Sequence, residues 1–405
     1  MLLLLPNVAS ASPRPTWIGA WATSPTTVPA SDTTTFENQT LRQVVHLSVG
    51  GGTVRVRLSN EFGTQPLVVG EAHVARRAGA GSAVEPGSDR RLTFGGRASA
   101  TLPPGTPLLS DPVALPVAAD SDLVISIHLP RRTAANTVHA FPFQDGYVAA
   151  GNVTGHTDIT PTAVLGKWHF LTGVSVTGER GSTVVAFGDS ITDGAVTTRG
   201  ANRRWPDVLA RRFQDDRRLR HLGVVNAGIS GNRLLHDPNP PAGHPAETYA
   251  IYFGQAALRR FDRDVLAQPG VGHVVVLLGV NDLGHPGTDA PESEKVTAQD
   301  MIDAHRQLIA RAHAQGLRIY GGTITPFKDD TLGFYSPENE AARQVVNRWI
   351  RTSGEHDGVV DFDRAVRDPN QPDRLLPAYD SGDHLHPNDA GMAAMAAAVP
   401  LRLFR

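Results

Sequence analysis

The spacing of hydrophobic positions follows two different periods along this chain, and the change comes between residues 175 and 181. From about Trp17 to Gly173 the pattern is that of short strands. Val54-Arg55-Val56-Arg57-Leu58 alternates apolar and charged residues, as a strand with one buried face requires. Before it stand Val44-Val45-His46-Leu47-Ser48-Val49 and the turn Gly50-Gly51-Gly52. Further strands are predicted at Leu67–Ala75, Arg91–Phe94, Leu123–Leu129 and Thr137–Phe141. Gly, Pro and Asp clusters separate them, and no long helical period intervenes. Short strands punctuated in this way predict an all-β sandwich or jelly roll.

Beyond residue 181 the pattern alternates between two kinds of element. Thr183-Val184-Val185-Ala186-Phe187 is a short apolar run ending in Gly188, which suits a strand buried on both faces. Similar runs recur at Val224-Val225, His273–Leu278, Arg318–Thr323 and Val359-Val360. Helical stretches separate them at Trp205–Phe213, Glu247–Phe261, Gln299–Ala314, Glu338–Thr352 and Asp389–Ala398. Strand and helix in alternation predict an α/β fold with a parallel, doubly wound sheet. Ligands of such sheets bind outside the carboxyl ends of the strands, so the chemistry is expected in the loops that follow them.

Composition narrows the classes. The 405 residues exceed one typical domain and divide into a leader over 1–16, a β-sandwich accessory domain over 17–175 and an α/β domain over 181–405. Charge is nearly balanced, 38 Lys and Arg against 40 Asp and Glu, which points away from nucleic acid and anionic membranes. The absence of cysteine excludes disulfides, thiolate metal sites and a cysteine nucleophile. At the N-terminus Met1-Leu2-Leu3-Leu4-Leu5-Pro6, followed by Ala9-x-Ala11, reads as the end of a secretory signal peptide without its basic region. Export into solution is expected, from a start upstream of Met1, and no segment has the length and apolarity of a membrane span.

Four loops carry candidate chemistry. Gly188-Asp189-Ser190-Ile191-Thr192-Asp193-Gly194 follows the first apolar run and can expose a serine hydroxyl to backbone N–H groups of the turn. Alone it is equally a capped helix start. Asp383-His384-Leu385-His386-Pro387-Asn388 places a carboxylate three residues before an imidazole. That spacing lets Asp383 orient His386, whose other nitrogen can take a proton from a serine. The same stretch also has ligand-like spacing for a metal, Asp383 with His384-x-His386, although no second ligand cluster accompanies it. Gly228-Ile229-Ser230-Gly231-Asn232 and Gly279-Val280-Asn281-Asp282 follow the second and third runs. They offer a glycine N–H and an amide as oxyanion donors, or are ordinary Gly/Asn turns.

These four blocks in this order resemble those of the SGNH hydrolases, also called GDSL esterases and lipases, over roughly residues 181 to 402. The resemblance implies a three-layer α/β/α domain with a five-stranded parallel sheet of flavodoxin-like order. It implies Ser190 as nucleophile, His386 as base and Asp383 as its orienter. The implied oxyanion hole is the Ser190 N–H, the Gly231 N–H and the Asn281 amide. Isoleucine stands at 191, where the family's namesake motif has leucine. Trp17-Ile18-Gly19-Ala20-Trp21 resembles the start of the β-domain that precedes some bacterial members. No cofactor and no metal are implied, and the expected partner is a small-molecule or carbohydrate ester. Two substrate classes follow, an acetylated carbohydrate or short-chain ester and a lipid or aryl ester. An inactive hydrolase domain serving as a binding protein is the reading from another class. The loops Arg233–Ala246, with His236 and His244, and Pro326–Pro337, with Phe327, Phe334 and Tyr335, are expected to wall the pocket or to pack its base.

Overall fold

The structure is a computed structural model that describes residues 16–178 and 180–405, so the expected signal-peptide remnant lies outside the described residues. Two antiparallel sheets enclose the first core. One has the order Thr16–Ala22, Leu171–Gly178, Gly51–Ser59, Val113–Val117, with Pro107–Leu109 also paired to Gly51–Ser59. The other runs Ala163–Leu165, Gly146–Ala150, Gln39–Leu47, Ser121–Leu129, Glu71–Arg76, Arg90–Arg91. The alternation read from sequence is what fills the space between them. Val54, Val56 and Leu58 from the first sheet meet Leu41, Val45, Leu123, Ile125 and Ile127 from the second in one cluster. Burying each such side chain stabilises by about 1.5–3 kcal/mol relative to exposure. With no cysteine in the chain, this burial does the holding.

Several strands differ from expectation. The Leu67–Ala75 run splits at Gly70 into Leu67–Val69 and Glu71–Arg76, which pair with different neighbours. Thr137–Phe141 contributes only Val138–His139, because the chain then leaves the sheet. Val113–Val117, Gly146–Ala150 and Leu171–Gly178 were not foreseen, since Pro or Gly interrupts or bounds each run. Pro116 is tolerated because Val113–Val117 is an edge strand.

The second part is a five-stranded parallel sheet between two helical layers. Its strands, in chain order, are Ser182–Gly188, Leu222–Gly228, Val271–Leu277, Arg318–Gly322 and Gly358–Val360, and their spatial order is 2-1-3-4-5. The eight helices used below are α1 (Ser190–Asp193), α2 (Trp205–Asp215), α3 (Ala257–Phe261), α4 (Val280–Gly284), α5 (Ala298–Ala314), α6 (Pro337–Thr352), α7 (Phe362–Val366) and α8 (Asp389–Ala398). Successive residues of the first strand serve opposite layers. Val184 and Ala186 pack with Leu209 and Phe213 of α2 and Met392 and Met395 of α8. Val185 and Phe187 pack with Phe261, Leu308 and Ile350 of α3, α5 and α6. Both faces are covered, which is why the strand reads as continuous apolar sequence.

One predicted helix is broken. Glu247–Phe261 becomes two 3-10 turns, Pro245–Thr248 and Ala250–Phe253, and then α3. Gly254 adopts φ +70°, and the Asn232 amide donates to the carbonyls of Phe253 and Gln255 at 2.7 and 2.8 Å. A tertiary claim on those carbonyls replaces the helical bonds they would have accepted.

The two parts meet along the first strand of the chain. The Thr183 hydroxyl accepts from the Gly19 N–H at 2.8 Å and donates to the Pro269 carbonyl. Ser48 Oγ donates to Ala20 O and accepts from Val224 N–H, at 2.8 and 2.9 Å, which occupies the outer edge of the parallel sheet. Thr183→Val keeps the shape and removes both hydroxyl bonds, leaving the Gly19 N–H and the Pro269 carbonyl only their longer 3.2 Å bond to each other. Equilibrium denaturation should show a loss of about 1–3 kcal/mol, and unchanged stability would remove this hydroxyl from the junction.

Candidate active site

The 2-1-3-4-5 order puts the ends of the first, second and third strands side by side, and the three loops that leave them converge there. Ser190 opens α1 directly after the first strand. Asp189 caps that helix, its carboxylate accepting the Ile191 N–H at 3.0 Å. Only glycine fits at 188, because a β-carbon there would lie 2.1 Å from Thr192 Oγ1 and 2.8 Å from the Leu277 carbonyl. The strand can therefore end against its neighbour and turn at once into the serine.

The Asp383–His386 loop arrives over this turn, and Asn388 ends it by capping α8. His386 Nε2 lies 2.8 Å from Ser190 Oγ, and its Nδ1 lies 2.6 Å from Asp383 Oδ2. The other Asp383 oxygen accepts the Leu385 and His386 N–H groups at 2.9 and 2.8 Å. Burial opposes ionisation of Asp383, yet the His386 contact and these N–H groups outweigh it and hold the carboxyl well below the usual carboxylate range. An ionised Asp383 accepts a hydrogen bond from Nδ1–H and leaves Nε2 as the acceptor facing the serine hydroxyl.

His384 turns the other way. It adopts φ +60° and pairs with Asp380, and among the described residues no three His, Asp or Glu side chains converge as a ligand set for a metal.

Gly231 and Asn281 reach the same place from the second and third strands. Gly231 stands at φ +77°, with no room for a side chain against the Phe253 ring. Its carbonyl lies 3.1 Å from His285 Nε2. Asn281 is buried in α4, and its amide donates to the Asn232 carbonyl at 3.0 Å, which leaves a second amide hydrogen uncommitted. Ser190, Gly231, Asn281 and His386 all line one cavity of about 590 Å3. Its walls are mainly apolar: Phe141, Phe143, Tyr249, Phe253, Leu332 and Phe334.

The two long loops contribute unequally. From Arg233–Ala246 only His244 reaches the cavity, and His236 lies elsewhere. From Pro326–Pro337 Leu332 and Phe334 line it, whereas Phe327 is buried at the loop base against Tyr335.

Four further residues hold the site and were missed from sequence. The fully buried Arg260 donates to the carbonyls of Gly188 and Ala227, each at 2.8 Å, and to Asn232 Oδ1 at 3.0 Å. Burial lowers its pKa to about 10, still a cation at neutral pH. Asp282 accepts the N–H groups of Leu234 and Leu235, tying the second loop to the third, and burial raises its pKa. Asp189 is likewise pushed up to about 7 by burial. Asp193 accepts from both the N–H and the hydroxyl of Ser230. The three aspartates adjoin the motif residues, which was a usable signal. Arg260 sat in a stretch read as uninterrupted helix, and nothing there marked it.

A family model described as the GDSL-like lipase/acylhydrolase family matches residues 186–394. The comparison with curated proteins gave no match. Among solved structures, a GDSL-like lipase from Bacteroides thetaiotaomicron is 18% identical, with 55% of this chain and 88% of that one covered and a TM-score of 0.38. An acetylxylan esterase from Geobacillus stearothermophilus is 21% identical, with 55% and 93% covered and a TM-score of 0.38. An alpha/beta hydrolase from the metagenome of Lake Arreo, Spain, is 22% identical, with 55% and 94% covered and the same TM-score of 0.38. The matched segment is just over half of the 405 residues, and the chain belongs to the GDSL-like lipase/acylhydrolase family, as a carboxylic ester hydrolase.

Proposed function

We propose that this enzyme hydrolyses its ester through an acyl-enzyme on Ser190, with His386 as the base that Asp383 orients. The observation that carries this reading is the unbroken run of contacts from Asp383 through His386 to Ser190, opening on a cavity that also holds Gly231 and Asn281. His386 Nε2 takes the hydroxyl proton as Ser190 Oγ attacks the ester carbonyl. The charge that develops on the carbonyl oxygen meets the N–H groups of Ser190 and Gly231 and the free amide hydrogen of Asn281. Collapse expels the alcohol, which His386 protonates. Water, deprotonated by the same imidazole, then releases the acid.

The cavity favours the lipid or aryl ester over the acetylated carbohydrate. A sugar would need many polar partners, and the walls supply aromatic and aliphatic surface with few of them, such as Ser230, His244 and Thr288. An acetyl group would leave most of the volume unfilled.

Four variants test the chemistry, assayed on p-nitrophenyl esters of increasing chain length. Ser190→Ala should lose on the order of 10⁶ in turnover without a change in thermal midpoint. His386→Ala should fall to a comparable level, while His384→Ala stays near the parent because it faces Asp380. An inactive His384→Ala beside an active His386→Ala would reverse the assignment of the base. For Asn281→Ala, kcat should drop by about 10²–10³ with little change in KM, since the donor meets full charge only in the tetrahedral intermediate. A lowered midpoint with kcat intact would make Asn281 a structural residue.

A further inference from the structure

The segment that follows the short strand Val138–His139 belongs by sequence to the β region, yet it ends up in the wall of the cavity. Phe141 and Phe143 both line it, next to Ser190 and His386. Phe141 packs edge-on against Tyr252, whose hydroxyl is tied to Asp32 and Lys167. Phe143 is only partly buried and adopts φ +49°, the left-handed region that a bulky side chain seldom occupies. Such a conformation persists only where the surroundings impose it.

The surroundings here are residues 193–204 of the α/β part. The Gly200 N–H donates to the Phe143 carbonyl at 2.8 Å, Arg204 donates to the Pro142 carbonyl, and Arg199 pairs with Asp145. The same stretch carries Val196, a second cavity-lining residue at positive φ, +59°, where a β-branched side chain is costly. Two strained residues thus stand in one wall, on segments stapled to each other.

The fourth staple runs deeper. His139 Nε2 lies 2.9 Å from Asp193 Oδ1, and its Nδ1 lies 3.0 Å from the Ser24 carbonyl, with both side chains almost wholly buried. The other Asp193 oxygen accepts from Ser230 N–H and Oγ at 3.0 and 2.7 Å. Asp193 closes the turn that begins at Ser190, and Ser230 precedes Gly231. A residue of the β region is therefore one side chain removed from both the nucleophile turn and the oxyanion loop.

We propose that the segment His139–Asp145 makes the β region a working part of the active site: Phe141 and Phe143 determine which ester is accepted, and His139 is a positioning residue that holds the oxyanion loop through Asp193. This rests on the acyl-enzyme reading given above. Interface packing alone would bury Phe143 in protein; instead its ring borders the space the ester must enter. Packing alone would also leave the relation of Ser230 to Ser190 indifferent to His139, whereas Asp193 joins all three.

The test compares p-nitrophenyl acetate with p-nitrophenyl decanoate in wild type, Phe143→Ala, His139→Ala, His139→Gln and Ser190→Ala. In Phe143→Ala the decanoate-to-acetate ratio of kcat/KM should fall by roughly tenfold or more, as the loss of apolar contact with several methylenes requires. A ratio within about twofold of wild type, far below the discrimination such a wall provides, overturns the specificity role. In His139→Ala, kcat should fall between about tenfold and a hundredfold, less than loss of a whole oxyanion donor, with KM for the acetate nearly unchanged. His139→Gln, which restores a donor toward Asp193, should recover part of that loss. If His139→Ala fails to fold, His139→Gln decides: kcat below wild type with the midpoint kept supports the positioning role, and wild-type kcat overturns it, as does wild-type kcat in a folded His139→Ala. Activity surviving in Ser190→Ala would sink the acyl-enzyme reading itself. An inactive Ser190→Ala with unchanged ratio and kcat in the other variants would sink only the present proposal.

Discussion

The Arg260 guanidinium, buried beneath the serine turn, must satisfy its N–H groups without water, and the way it does so fixes the ends of two neighbouring strands. It reaches Gly188 O at the end of the first strand, Ala227 O at the end of the second, and the Asn232 side chain in the loop beyond. Asp264 meets its charge, and Ser24 reaches it from the β region. Removing one partner from such a buried pair generally costs about 3–5 kcal/mol, because the other is left unmet. The turn that presents Ser190 and the loop that presents Gly231 thus share one anchor, and their separation is set by the span of a single planar cation.

Charge is distributed around that anchor with a clear division. Asp189, Asp282 and Asp383 crowd the site beside Asp193, and an oxyanion forming beside Ser190 would be opposed by each that ionised. Burial holds Asp189 toward its neutral form, with a pKa of about 7, and pushes Asp282 the same way, while both accept backbone N–H groups that need a partner. Of the three, Asp383 alone is driven firmly to its anion, and its charge faces the imidazole that would gain a proton in the proposed reaction. At Asp189, Asp282 and Asp383, negative charge is kept where the proposed reaction would form a cation and suppressed where it would form an anion.

What could be read from sequence was whatever depends on near neighbours in the chain. The apolar run ending at Gly188, the Asp383 to His386 spacing and the order of the four loops are local, and the parallel sheet and the meeting of Ser190 with His386 follow from them. The break of Glu247–Phe261 was illegible because the Asn232 amide, remote in sequence, takes the carbonyls a helix would use. His139 was invisible for the same reason. It lies in an ordinary run of the β region, and its partner Asp193 is 54 residues further on. The apolar cavity also escaped, since Phe141, Tyr249 and Leu332 come from three separate segments.

The first sheet is closed by its two most distant strands, Thr16 pairing with Gly178 and Ala22 with Gly173. The contact between Gly19 and Thr183 spans 164 residues. Contacts of such range must wait for a long loop to close before they return any stability, which slows folding. During synthesis the strand Thr16–Ala22 leaves the ribosome well before its pairing partner Leu171–Gly178 exists. Until Leu171–Gly178 emerges, the edge that it will cover stays open to other chains, and with no cysteine in the sequence no covalent tie can hold the intermediate together. The enzyme's vulnerable moment is therefore its own biosynthesis, and it ends only when the residues that begin the catalytic half have been made.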